Sequence, residues 1–284
     1  MKENYLEALK WYGKAADMGN AEAKYKLGKI LWEEGKRYLQ ESWEQGNIDA
    51  SEIIEGKQID APYIVFMSPK SFCISAGKSW DGTIEYSLDK INWYEWDGSQ
   101  IESNIIYMRG CGNTVITDGR EWHFQTDDRL VCRGNIETLL DYKLSSRGEH
   151  PPMGKECYSS MFEGCTSLKE APSLPATKLA VWCYSGMFKG CTSLVEAPSL
   201  PATKLAWCCY RSMFEGCKSL VEAPVLPATK LACLCYCSMF EGCTSLTEAP
   251  ALPAKELAWG CYYSMFQGCN SLKDRSNLPN DCFE

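Results

Sequence analysis

Histidine is nearly absent from this chain: His123 and His150 are the only two in 284 residues. Any Cys-His or Ser-His nucleophile pair would have to use one of them, and neither lies in an HExxH, GxSxG or spaced metal-ligand pattern. No apolar run approaches the roughly 18 residues of a membrane-spanning helix. Clustered Lys and Arg are missing too, and the formal net charge of -8 argues against nucleic acid as a partner, because phosphate contacts need basic clusters. The opening, MKENYLEALKWYGKAADMG, lacks the continuous apolar stretch of a signal peptide. With 45% apolar and 23% charged residues, the chain is expected to fold into two or three domains with ordinary cores.

What is present is repetition. CYSSMFEGC at residues 157–165 returns as CYSGMFKGC, CYRSMFEGC, CYCSMFEGC and CYYSMFQGC, starting at Cys157, Cys183, Cys209, Cys235 and Cys261, each 26 residues after the last. A fixed period of this size is expected of a solenoid, whose units bury apolar surface against one another and present an extended face without a unique cleft. Leu205, Ala206, Cys209, Met213 and Phe214 fall at helical spacings, Gly190 and its equivalents end that run, and Pro198 and Pro201 confine any strand to a few residues. Helix, turn, short strand, turn is the unit expected. Of the 17 cysteines, 14 lie in this region, and two columns recur in every repeat. Equivalent side chains in an in-register stack sit about 4.8 Å apart, farther than the roughly 3.8 Å between Cβ atoms in a disulfide. Small buried hydrophobes with weak thiol hydrogen bonds are the favoured reading, with soft-metal binding and regular disulfides left open. Cys208, Cys233, Cys237 and Cys282 follow no column and are expected to oxidise more easily.

Three further stretches precede the array. Residues 1–55 carry helical periodicity, broken at Gly19-Asn20, which predicts an αα-hairpin. Residues 56–135 hold short aromatic and β-branched runs separated by Pro-Lys, Gly-Lys, Asp-Gly and Gly-Asn, which predict a small antiparallel β-sandwich with a hairpin around Asp89-Lys90. Residues 136–156 join sandwich to array and are expected to cap its first coil through Ile136, Leu139 and Leu140. The array itself is residues 157–284.

Two resemblances carry family expectations. The run A..WY.KAA..GNAEA.Y.LG, with Ala8, Trp11, Tyr12, Lys14, Ala15, Gly19, Ala23, Leu27 and Gly28 in place, is similar to the Sel-one-type repeat, which implies a protein-interaction adaptor. The units CYxxMFxGCTSLxxAPxLPATxLA resemble BspA-type leucine-rich repeats in their 26-residue bacterial surface protein form, over residues 157–283. That resemblance implies an α/β leucine-rich-repeat solenoid, a noncatalytic role in adhesion and recognition, and a bacterial surface or secreted setting. It supplies no catalytic residue and no cofactor, and the start of this chain leaves a cytoplasmic setting open.

The expected function is recognition of a protein or glycan ligand on the repeat face, with no enzymatic activity. An intracellular interaction scaffold and a phage-borne receptor-binding protein are the alternatives. Candidate ligand-binding residues are the acidic column Glu170, Glu196, Glu222, Glu248 and Asp274, together with the boundary aromatics Trp182, Trp207 and Trp259. Stacked like charges repel, so the acids are either balanced by the Lys178, Lys204 and Lys230 column or kept for a basic partner or Ca²⁺.

Overall fold

The computed structural model describes residues 61–119, 122–276 and 278–283, with isolated positions between residues 10 and 42. Backbone contacts divide the chain into two units, Met1–Gln58 and Ile59–Glu284. In the first, Lys10, Trp11, Tyr12, Lys14 and Ala15 are helical, and Asn20 Oδ1 accepts from the Ala23 amide at 2.9 Å, as an N-cap does. Glu22, Ala23, Lys26, Leu27, Leu31, Gly35, Tyr38 and Ser42 are helical as well, and the other positions of the expected αα-hairpin lie outside the described residues.

The second unit is organised around one long strand. β1 (Ile64–Ser75) pairs with β4 (Ile101–Cys111), β5 (His123–Gln125) and β6 (Leu130–Arg133), while β2 (Thr83–Ser87) joins β4 to β3 (Tyr94–Glu95). β7 (Leu168–Glu170) adds to β6 in parallel, giving a mixed seven-stranded sheet in the order β3-β2-β4-β1-β6-β7, with β5 on β1. The expected sandwich is thereby corrected: the described strands form one sheet. Pro-Lys at residues 69–70, read as a turn, sits inside β1, where the register with β4 shifts between Met67 and Phe72. Proline cannot donate to a ladder, and a bulge accommodates it without ending the strand.

The core-facing residues of β1, Ile64, Phe66, Phe72 and Ile74, are buried with Trp80, Trp96 and Trp122. Helix α1 (Thr138–Ser145) packs on β4, so closely that a Cβ at Gly110 would lie 1.7 Å from the Leu139 carbonyl oxygen. Only glycine fits there. The first repeat continues the same core, the Phe162 ring lying 5.3 Å from Phe124 and 6.2 Å from Phe66.

The repeats themselves overturn the expected α/β solenoid. Among the described residues, α1 and a 3-10 turn at Asn280–Phe283 are the only named helical elements of this unit, and no helix crosses a repeat boundary. Each repeat forms a rung of successive turns instead. The N–H groups of Ser160, Phe162 and Gly164 donate to the carbonyls of Ser185, Met187 and Lys189 in the next rung at 2.9, 2.9 and 2.7 Å. Those of Met161, Glu163 and Cys165 turn back to the carbonyls of Tyr158, Ser160 and Phe162. This alternation requires left-handed backbone at Glu156, Tyr158, Ser160 and Gly164, with φ of 64, 62, 57 and 74°. Apolar residues recurring every four positions, Cys157, Met161, Cys165 and Tyr158, Phe162, are buried as they would be on a helix, which is why spacing alone does not separate the two conformations.

Candidate functional site

The acidic column begins in the sheet. Glu170 ends β7, and Arg133 of β6 donates to both its carboxyl oxygens, Nε and Nη2 each at 2.8 Å. Below it, Glu196 bridges in parallel to Glu222 and Glu222 to Glu248, and all three side chains are exposed. Asp274 turns inward on its own chain, accepting from the Ser276 amide at 2.8 Å and hydroxyl at 2.7 Å, and these bonds hold its carboxyl below the usual range. Among the described residues no ion pair reaches Glu196, Glu222 or Glu248. The lysines weighed as their balance form another column: Lys178 bridges to Lys204, and Lys230 meets Glu256 at 2.7 Å. A shallow cavity of about 290 Å³ opens between Glu196 and Glu222, floored by Ala197, Ala223 and Pro224.

The tryptophans stand apart from that column, on the turn wall. Trp207 and Trp259 are 48% and 75% exposed, whereas Trp182 is half-buried, edge-on to Trp207 at 5.6 Å with the Arg211 guanidinium over its ring. The acids follow one column of the rung repeat, whereas the tryptophans fall in two adjoining columns, Trp182 in one and Trp207 and Trp259 in the next.

The thiol columns lie inside. Cys191, Cys217, Cys243 and Cys269 donate from Sγ to the carbonyls of Phe162, Phe188, Phe214 and Phe240, at 3.1, 3.1, 3.1 and 2.9 Å. Burial pushes the Cys217 thiol up to about 12 and that of Cys269 up to about 11, so at neutral pH these are thiols, unreactive as nucleophiles. Among the described residues no group of three or more His, Cys, Asp or Glu is arranged to hold a metal ion.

One pair escaped the sequence reading. Glu137, 2% exposed, leads into α1, and Nδ1 of His150 lies 2.9 and 3.1 Å from its carboxyl oxygens. Both line a cavity of about 430 Å³ walled by Pro151, Met153 and Leu179. Burial raises the Glu137 carboxyl above its ordinary value, with His150 pulling the other way. Glu137 is a single acid in the apolar stretch NIETLL, and no motif marks it. His123 lies on β5, exposed, with Ser75 of β1 as its register partner. No helix among the described residues is long and apolar enough to cross a membrane. No family model, no curated protein and no solved structure matches this chain.

Proposed function

We propose that this chain is a noncatalytic recognition protein whose acidic column receives a basic segment of a partner protein. The observation that carries this reading is the run Glu196, Glu222, Glu248, exposed, in register and without a described cation. Like charges aligned on neighbouring rungs repel, and the top of the same column shows the remedy, since Arg133 neutralises Glu170. A partner offering Lys or Arg at the lower rungs would do there what Arg133 does above. The likeness of the repeats to BspA-type surface proteins supports an adhesive role, and the exposed Trp207 and Trp259 offer apolar contact area elsewhere on the stack, a residue type that interface anchors favour.

The test is capture of lysine-rich peptides by the full chain and by a Glu196→Thr, Glu222→Thr, Glu248→Thr variant. Binding that weakens with salt and falls about tenfold or more in the variant supports the reading, since screened ion pairs should carry it. Equal capture by both proteins would sink it.

A further inference from the structure

Three cysteines that leave the thiol columns gather at one place on the turn wall. Cys208 stands where the other rungs carry Trp182, Leu234 and Gly260, Cys233 where they carry Val181, Trp207 and Trp259, and Cys237 at the position of Ser185, Arg211 and Tyr263. The Cys208 amide donates to the Cys233 carbonyl at 3.1 Å, so the two residues face each other across adjoining rungs. Chain segments joined by backbone hydrogen bonds run about 4.8 Å apart, inside the roughly 4.4–6.8 Å between Cα atoms that a disulfide spans. The thiols of Cys191, Cys217, Cys243 and Cys269, by contrast, are tied to carbonyls of the preceding rung.

Access differs between the three. Cys233 is exposed, whereas Cys237 and Cys208 are buried. The Arg211 guanidinium, which also covers Trp182, lies near enough to Cys208 for its charge to act on the sulfur. Burial raises the Cys208 thiol, and the Arg211 cation opposes that rise.

The geometry points to Cys233 and Cys208 as a reversible disulfide site on the turn wall, formed by a peroxide and opened by a dithiol. In the first step the Cys233 thiolate attacks one peroxide oxygen and the O–O bond breaks. This leaves a sulfenic acid on Cys233 and releases hydroxide, which takes a proton to become water. The Cys208 thiol, beside Arg211, then attacks the Cys233 sulfur and gives up its proton to the departing hydroxide. An S–S bond forms, the S–O bond breaks, and the departing hydroxide is protonated to a second water. Two thiols are oxidised and one peroxide is reduced. The bridge would pin two neighbouring rungs beside the exposed Trp207 without touching the buried columns.

The test is peptide mapping of the full chain after hydrogen peroxide treatment, alkylation and trypsin digestion. Cleavage after Lys204, Arg211, Lys230 and Lys255 places Cys208 in peptide 205–211 and Cys233 in peptide 231–255. The expected product joins these two peptides, disappears with dithiothreitol, and falls at least tenfold in Cys208→Ser and in Cys233→Ser. It persists in Cys209→Ser and Cys237→Ser, which separates the site from its neighbours in the same peptides. Oxidation of Cys233 without a cross-link overturns the proposal. So does a bridge within peptide 231–255, or a cross-link that survives Cys208→Ser. A thermal melt of each variant distinguishes loss of the site from loss of the fold: a cross-link missing from a variant that melts like the parent counts for the site. If Cys208→Ser unfolds, Cys233→Ser, at an exposed position, carries the decision.

Discussion

The rings of Tyr158 and Tyr184 stack 5.5 Å apart at 13°, yet their hydroxyls have different fates. Tyr158 donates to the Ile136 carbonyl at 2.9 Å, whereas the buried Tyr184 hydroxyl has no partner, and neither does that of Tyr236 further down the column. A buried hydroxyl without a partner costs about 1–3 kcal/mol relative to one that is bonded. Tyr184→Phe and Tyr236→Phe are therefore expected to leave stability unchanged or raise it by up to about 1 kcal/mol, while Tyr158→Phe lowers it by about 1 kcal/mol. Urea denaturation of the three variants checks this, and equal losses in all three would count against it.

Left-handed residues give a second comparison. Ser212 holds φ of 53°, and the same position in the preceding rung is Gly186 at 61°. Left-handed backbone costs a residue with a Cβ about 1–2 kcal/mol, of which glycine's greater unfolded freedom returns part. Ser212→Gly should then stabilise by about 0.5–1 kcal/mol. The reverse change, Gly216→Ala at φ of 72°, meets only the Gly190 backbone at 3.7 Å, an ordinary contact. Its cost is the conformational one, about 1 kcal/mol, and a much larger loss in the melt would point to a tighter rung spacing.

Arg133 and Glu170 weld β6 to β7 through two 2.8 Å bonds, with the arginine side chain 11% exposed and the glutamate 39%. Charge-assisted bidentate pairs exceed ordinary surface ion pairs, but the half-open glutamate weakens this one. A double-mutant cycle of Arg133→Ala and Glu170→Ala should give a coupling of about 1 kcal/mol. Coupling near zero would mean that the sheet meets the first rung by backbone pairing and apolar contact alone.

Glu137 makes a prediction for pH. Burial raises its carboxyl above the ordinary 4.5, so the folded chain binds this proton more tightly than the unfolded chain. Its contribution to stability is complete below the unfolded value and is lost as pH climbs through the raised one. Asp81 and Asp141 are lowered by the hydrogen bonds they accept and act in the opposite sense, losing stability as pH falls. Subtracting the curve of Glu137→Gln from that of the parent isolates the one group. The difference should fall with rising pH, starting from the ordinary glutamate range. A difference that rises instead would show the carboxylate form to be the one the fold prefers.

What could be read beforehand was the register of the chain more than its backbone. The 26-residue period placed Cys157, Met161 and Phe162 and their equivalents in columns, and those residues are buried. It also aligned Glu196, Glu222 and Glu248, since in-register stacking follows from a period without insertions. The helix did not follow, because turns closed by bonds three residues back bury the same four-residue spacing, and single-sequence periodicity is blind to the sign of φ. The sandwich failed at Pro69, where a bulge keeps β1 whole and lets one strand serve three neighbours. Glu137 and His150 were invisible because their meeting depends on the path of residues 138–149 and on no shared motif.

On the turn wall, the amides of Phe162, Phe188, Phe214 and Phe240 all point towards the carboxyl end of the stack. The first rung is met by donors, the Thr117 hydroxyl on the Ser159 carbonyl and the Trp122 amide on that of Met161, and the last by acceptors, the Asp281 and Cys282 carbonyls taking the amides of Ser264 and Phe266. The array thus has a head and a tail that cannot be exchanged, while each joint between them repeats the phenylalanine amide bond to the methionine carbonyl of the next rung. A whole unit inserted or deleted between rungs leaves both closures intact, so the reach of the surface can be altered by duplication of 26 residues without inventing a new end.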